Sequence, residues 1–281
     1  MTAERLWGWQ HAFDHAVTQW IALGCVSLLL LAAAAIVILS AAGAISPPLR
    51  RELWLRTASW AVIIPLLIVP VLAGAGWTIA ATTALALLCY NEYARVTGLF
   101  RERIVSAFVV LGILFQAFAA LDHWYGFFVA ITPLAVGLIA ICSIPLDRPG
   151  GYIQRVGLAV FAFLLFGSAL GHLAYMANDW HYRPLILLIL LAVGLNDVFA
   201  FCVGKSLGGP KLLPHTSPNK TVSGAAGALV LTTMLVALLS GAIFVGTPLE
   251  ALHHRVALGV LISVFGQLGD LMLSSIKRDL G

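Results

Sequence analysis

Apolar runs of about 20 residues, the length a membrane-crossing helix needs, recur along the chain, each closed by a short polar break. The runs are continuous. Barrel strands would alternate apolar and polar positions over about ten residues, and no such alternation is present. Nine helical spans are predicted, at 20–42, 57–74, 77–93, 104–121, 125–144, 156–176, 184–203, 223–245 and 256–276. Pro65 and Pro70 fall inside the second. Neighbouring helices can satisfy the carbonyls that proline frees, so a kink is expected there rather than a break.

Composition agrees with the pattern. Of 281 residues, 61% are hydrophobic and 10% charged, whereas a soluble domain carries about 25% charged residues. Too few charges are available for a hydrated surface. Without water in the hydrocarbon core, backbone groups must bond within helices, so the predicted fold is an all-α, polytopic integral membrane protein with about nine transmembrane helices. Cys25, Cys89, Cys142 and Cys202 lie in or at the ends of apolar runs, without paired or metal-ligand spacing, and read as small apolar residues.

The net charge of +4 says less than its distribution. Arg50, Arg51, Arg56, Arg95, Arg101, Arg103, Arg148, Arg155, Lys205, Lys211, Lys220, Lys277 and Arg278 fall in one set of loops, against Arg5, Arg183 and Arg255 in the other. Cytoplasmic loops carry the excess of lysine and arginine. The N-terminus is therefore expected outside and the 204–222 loop in the cytoplasm. Trp20, Trp54, Trp60, Trp77, Trp124 and Trp180 gather near span ends, as an interfacial belt would.

AAGA at 41–44 resembles a cleavage site, but the preceding run is longer than a signal core and Glu4 and Asp14 stand against Arg5. The leader has no positive n-region, so the first span is expected to remain. Leu6, Phe13, Val17 and Trp20 share a helical stripe that suits the outer interface.

Ionisable residues inside spans cost several kilocalories at mid-membrane and point to function. Glu92 lies near the end of the third span, in CYNEYARVTG, where pairing with Arg95 one turn on is the plain alternative. Asp197 follows Asn196 in LLAVGLNDVFAFCVGK, and Asp270 occurs in FGQLGDLMLSSIKRDLG; for these the alternative is structural capping or pairing with a lysine. Both aspartates lie about 10 Å inside the same boundary, from a rise of about 1.5 Å per residue. Two carboxylates meeting in a polar cavity would repel unless neutralised. Magnesium would do so, taking oxygen ligands while keeping waters and substrate phosphates. Gly266 and Gly269 permit close helix approach.

Between the seventh and eighth spans runs GKSLGGPKLLPHTSPNKTVSG. Gly204, Gly208 and Gly209 let backbone approach a ligand. Lys205, Lys211 and Lys220 bring positive charge, Thr216, Ser217 and Thr221 bring hydroxyls, and the segment after Pro218 is expected to open the next helix, whose amides favour anions. The sum is a phosphate-binding loop beside acidic residues able to hold a metal. A basic loop that merely sets topology is the rival reading. The Walker pattern G-x-x-x-x-G-K-[ST] is absent.

NDVFAFCVGKSLGGPKLLPHTSPNKTVSG resembles the central region of bacterial phosphatidate cytidylyltransferases, in which an aspartate, a small residue and an aromatic precede a Gly-Lys/Arg turn and a Ser-Pro-x-Lys-Thr segment follows. GDLMLSSIKRD is similar to the start of that family's signature, met by Ser274, Ile276, Lys277 and Arg278, and CYNEYARVTG resembles its Glu-aromatic segment around Glu92. The likeness runs from about residue 50 to the end, so residues 1–49 read as an N-terminal extension with one additional span and 50–281 as the cytidylyltransferase-like membrane domain. The resemblance implies attack of phosphatidate's phosphate on the α-phosphorus of CTP, giving CDP-diacylglycerol and pyrophosphate with magnesium required. It implies Asp270 as a metal ligand and Asp197 as a metal- or substrate-binding carboxylate. Lys220, Asp197, Lys277 and Arg278 are the implied catalytic set, and Lys205, Ser217, Pro218, Asn219, Thr221, Ser274 and Glu92 the substrate contacts. The implied location is a bacterial inner membrane, with CTP, a lipid phosphate and membrane lipids as partners, a possible homodimer and no nucleic acid.

The chain departs from the pattern in two places. Asn219 stands where the family often has lysine and Ser223 where it often has glutamate, which lowers the loop's charge. The family signature also continues past the point where this chain stops, Gly281, with further metal ligands and a last span. A truncated copy or a relative lacking part of the site is therefore expected. The alternatives are a catalytically impaired relative that binds nucleotide or lipid as a partner protein, and a CTP-dependent kinase of a lipid alcohol. A transporter would place polar groups near mid-membrane on broken helices, whereas here they gather toward one face. The Asp-Gly-x-x-Ala-Arg signature of CDP-alcohol phosphatidyltransferases is absent.

Overall fold

The computed structural model describes residues 6–280; Glu4, Arg5 and Gly281 lie outside them. Nine long helices are present among the described residues. They are α1 (Ala16–Ala41), α2 (Pro47–Ala73), α3 (Ala75–Thr97), α4 (Arg103–Asp122), α5 (Tyr125–Cys142), α6 (Tyr152–Asn178), α7 (Tyr182–Leu207), α8 (Val222–Ile243) and α9 (Leu252–Leu280). Each predicted span falls on one helix. Eight are long and apolar enough to cross a membrane, and the chain is an all-α, multi-pass membrane protein. The exception is α3, which has the length but not the apolarity, because Thr78, Thr82 and Thr83 interrupt it and Asn91, Glu92 and Arg95 close it. Its threonine hydroxyls donate back to carbonyls one turn earlier, Thr78 to Gly74, Thr82 to Thr78 and Thr83 to Ile79, which satisfies them without water.

Several helices, α2, α3, α7 and α9 among them, run past the predicted apolar limits because backbone bonding continues into polar flanks. Thus α2 starts at Pro47 and carries Arg56 paired with Glu52 at 2.5 Å. It passes through Pro65 and Pro70. All four cysteines are free, and the six tryptophans expected at the interfaces are exposed.

The N-terminal stripe is not one helical face. A 3₁₀ turn at Trp9–His11 intervenes, and α1 begins only at Ala16, where His15 Nδ1 accepts from the Val17 amide. That side-chain cap starts a new helix and sets its rotation independently of Leu6. Leu6 and Trp7 instead pack on the start of α3. A Cβ at Gly74 would meet the Leu6 carbonyl oxygen at 2.4 Å, and the Trp7 and Trp77 rings meet edge to face with centroids 5.7 Å apart.

Two compact units are distinguished. The first comprises Ala73–Tyr182 with the described residues up to Trp9. Its core includes Val105, Val109, Ile113, Phe128, Ile139 and Phe163. Within α6 the residues Phe163–Ala169 widen into a π turn. Phe163 fills the space left by Gly112 and Gly167, where a Cβ would lie 2.7 Å from its ring in each case.

The second unit comprises Gln10–Leu72 and Arg183–Asp279. Its centre is polar. Asn196 of α7 is buried, and its Oδ1 accepts from Thr232 of α8 at 2.9 Å and from Ser263 of α9 at 2.7 Å. One amide thereby joins three helices at a depth where no water competes. Nearer the α7–α8 connection the helices touch through glycine. A Cβ at Gly224 would lie 2.4 Å from the Ala200 carbonyl oxygen, and one at Gly227 would lie 2.5 Å from the Val203 side chain. Of the two α9 glycines expected to allow close approach, Gly266 faces the Asn196 amide, with 3.5 Å to a Cβ placed there, whereas Gly269 meets nothing within 4 Å.

The asymmetry can be tested. Gly224→Ala is expected to destabilise the protein by about 1–3 kcal/mol, the usual cost of overpacking, whereas Gly269→Ala should leave stability near wild type. Thermal unfolding in detergent measures both. Equal midpoints for the two variants would contradict the packing described.

Candidate functional site

After Pro218 the chain opens α8 at Val222, as expected, but the connection before it also forms a short antiparallel hairpin that was not expected, β1 (Lys211–Leu213) and β2 (Ser217–Thr221), paired Lys211 with Thr221 and Leu213 with Ser217. Proline lacks an amide donor and belongs at a strand edge; Pro218 is exposed there. The turn out of α7 runs through Gly208 at φ 63° and Gly209 at φ 109°, conformations that side-chain-bearing residues rarely adopt. The Val222 amide donates to the Pro210 carbonyl at 3.0 Å, and Ser223 Oγ donates to the Gly208 carbonyl. These bonds close the hairpin against the first turn of α8.

Thr221 caps that helix. Its Oγ1 accepts from the Gly224 amide at 3.1 Å, as N-cap threonines do. The Val222 and Gly224 amides are therefore already bonded within the protein, and anion attraction at this helix start rests on side chains more than on free amides. Gly204 serves the same contact. A Cβ there would come 2.6 Å from Thr221 Oγ1, so this glycine gives α7 room for the cap.

A cavity of about 230 Å³ opens in the second unit between the hairpin and helices α7, α8 and α9. Asp197, Ala200 and Phe201 of α7 form one wall, and Gln267 and Asp270 of α9 form another. Ser217, Asn219, Lys220 and Thr221 line it from β2, and Ala225 from α8. Lys220 Nζ lies 2.5 Å from Asp270 Oδ2, with side-chain exposures of 20% and 41%. Asp197 sits within electrostatic reach of both, repelled by Asp270 and attracted by Lys220. One cation thus pairs with Asp270 and also acts on Asp197. The Lys220 ammonium makes no further hydrogen bond among the described residues, so part of its donor capacity is left for an anion.

The structure therefore brings together Asp197, Ser217, Asn219, Lys220, Thr221 and Asp270. Pro218 belongs to the same strand but does not line the cavity. Lys205 is exposed one turn beyond Phe201, its Nζ 5.7 Å from the centre of that ring. Ser274, Lys277 and Arg278 continue α9 past Asp270, Ser274 half-buried and the two basic residues exposed at its end. Glu92 is exposed on α3 in the first unit.

Sequence reasoning passed over Gln267, Phe201, Ala200 and Ala225. Gln267 left a signal, being a polar residue three positions before Asp270 inside an apolar span, on the same helix face. The others resemble ordinary lipid-facing or packing residues. Among the described residues no group of three or more His, Cys, Asp or Glu is placed to hold a metal. A cation in this cavity would have two carboxylates and neutral oxygens.

The sequence model of the cytidylyltransferase family matches residues 54–281, a range that contains every cavity residue. An uncharacterized protein of Escherichia coli K12, YnbB, is 30% identical over 82% of this chain and 76% of its own length. A phosphatidate cytidylyltransferase of Bacillus subtilis is 31% identical over 63% of this chain and 67% of its own. Another, of Staphylococcus haemolyticus, is 28% identical over 79% and 84% respectively. No solved structure gives a significant match.

Removing the cap should loosen the hairpin from α8. Thr221→Ala is expected to cost about 1 kcal/mol, read as a lower unfolding midpoint in detergent, and Thr221→Ser should recover most of it. Full stability of Thr221→Ala would show that the capping bond carries nothing.

Proposed function

The chain belongs to the cytidylyltransferase family, and from that premise we propose that it transfers the cytidylyl group of CTP to phosphatidate, giving CDP-diacylglycerol and pyrophosphate. Named relatives of about 30% identity support this choice of substrates. The observation that carries it is the convergence of Lys220, Asp197 and Asp270 on one cavity, beside the hydroxyls of the hairpin.

In the proposed reaction a phosphate oxygen of phosphatidate attacks the α-phosphorus of CTP. A phosphorus–oxygen bond forms there as the bond to the bridging oxygen breaks, and pyrophosphate departs. Such transfers depend on positioning and on neutralising equatorial oxygens rather than on covalent chemistry by the protein. Lys220 supplies a fixed cation on a strand held at both ends, by the pairing of Thr221 with Lys211 and by that of Ser217 with Leu213. Ser217 adds a hydroxyl donor from the same strand, whereas the single proton of Thr221 is given to Ser223 Oγ at 3.1 Å, because Ser223 spends its own on the Gly208 carbonyl. Lys205, Lys277 and Arg278, all exposed, raise the local concentration of polyanionic substrates through their positive potential.

Magnesium fits the donor set, since hard cations prefer oxygen and magnesium retains waters and substrate phosphates around one or two carboxylates. Asp197 and Asp270 would hold it, and when bound it would neutralise charge developing on the transferred phosphoryl group. The excess of lysine and arginine in the loops on the side of this cavity supports a cytoplasmic site with the N-terminus outside, in the inner membrane of a bacterium.

The test uses purified protein, CTP labelled at the α-phosphate, phosphatidate in mixed micelles and magnesium. Labelled lipid is the expected product. Lys220→Ala and Asp270→Asn should each lower the rate by about 10²-fold or more, the scale for losing a charge-stabilising group, with membrane insertion unchanged. Absence of labelled lipid from the wild-type chain, or an undiminished rate in Lys220→Ala, would remove the assignment.

A further inference from the structure

Resting on that reading of the cavity, we propose that Gln267 is a further ligand of the site, presenting its carbonyl oxygen as a neutral third oxygen donor, beside Asp197 and Asp270, to a divalent cation. The orientation of its amide carries the argument. Gln267 Nε2 donates to the Ala225 carbonyl at 3.3 Å and to Ser263 Oγ at 3.2 Å. A backbone carbonyl can only accept, so the NH₂ end must face Ala225, and both its hydrogens are committed. The opposite end, Oε1, accepts no hydrogen bond among the described residues and is not enclosed. Gln267 lines the cavity, and the free end is the oxygen.

The surrounding network holds it there. Ser263, which receives the Gln267 amide, donates in turn to the Asn196 carbonyl, and Thr232 donates to that same oxygen. Asn196 adjoins Asp197 in α7, and Gln267 lies one turn before Asp270 in α9. One chain of hydrogen bonds therefore fixes the amide of Gln267 and ties together the stretches of α7 and α9 that carry the two carboxylates. Two carboxylates, one already paired with Lys220, leave most of an octahedral shell to neutral oxygens and water. A side-chain carbonyl fixed at its far end can fill one such place with little loss of freedom.

Manganese(II) alone is the probe, its binding to the full chain in detergent read from the loss of the free-ion paramagnetic resonance signal, which requires no turnover. Gln267→Leu is expected to weaken binding about tenfold, a scale typical of lost support around a metal, whereas Gln267→Glu should tighten it, since added ligand charge raises affinity. The opposite signs separate a ligand from a positioning residue. Glutamate cannot donate to the Ala225 carbonyl, so a purely positioning Gln267 would make Gln267→Glu weaken binding as well. Metal-free unfolding midpoints check that both variants fold. Unchanged affinity in Gln267→Leu, or weaker binding in Gln267→Glu, overturns the proposal. Loss of binding in Asp270→Asn alongside either result would leave the two-carboxylate site standing without Gln267. No manganese binding by the wild-type chain would overturn both.

Discussion

A polar group removed from water must find a partner inside the protein, and much of this structure follows from that constraint. Backbone amides find theirs within long helices. The hydroxyls of Thr78, Thr82 and Thr83 turn back onto their own helix. Asn196 cannot do so, because an amide has more hydrogen-bonding capacity than one helical turn can meet. Its partners come from two other helices, and this side chain thereby fixes how α7, α8 and α9 assemble.

From that node the chemistry is laid out toward one end of the second unit. The glycine contacts at Gly204, Gly224 and Gly227 draw α7 and α8 together just before their connection. Chain leaving such a close pair cannot wander. It folds over the helix ends as a hairpin, its strand β2 carrying Ser217, Asn219, Lys220 and Thr221 in succession. Side chains alternate along a strand, but all four line the cavity, which places β2 along its rim.

Charge completes the arrangement. Asp197 and Asp270 on separate helices repel each other, and Lys220, paired with Asp270, offsets part of that repulsion at Asp197. The same ammonium is the natural partner of a phosphate. The resting pair with Asp270 and the proposed contact with substrate therefore draw on one cation.

The sequence by itself determined the helical class, the positions of the long helices and the residues worth watching. Apolar runs near 20 residues admit few backbone solutions in lipid, Asp197 and Asp270 are conspicuous because charge is costly there, and Lys220 is conspicuous for its loop of glycines and hydroxyls. The resemblance on those residues led to the family. Only the tertiary structure decided that the loop before α8 holds a strand, since the pairing of β2 with Lys211–Leu213 depends on where Gly208 and Gly209 turn the chain. The break between Leu6 and α1 was hidden for a similar reason: a stripe counts periodicity, while the cap at His15 resets it. Gln267 shows the limit most plainly. Its spacing from Asp270 was legible, but its free oxygen was not, because the orientation of an amide is set by acceptors on another helix.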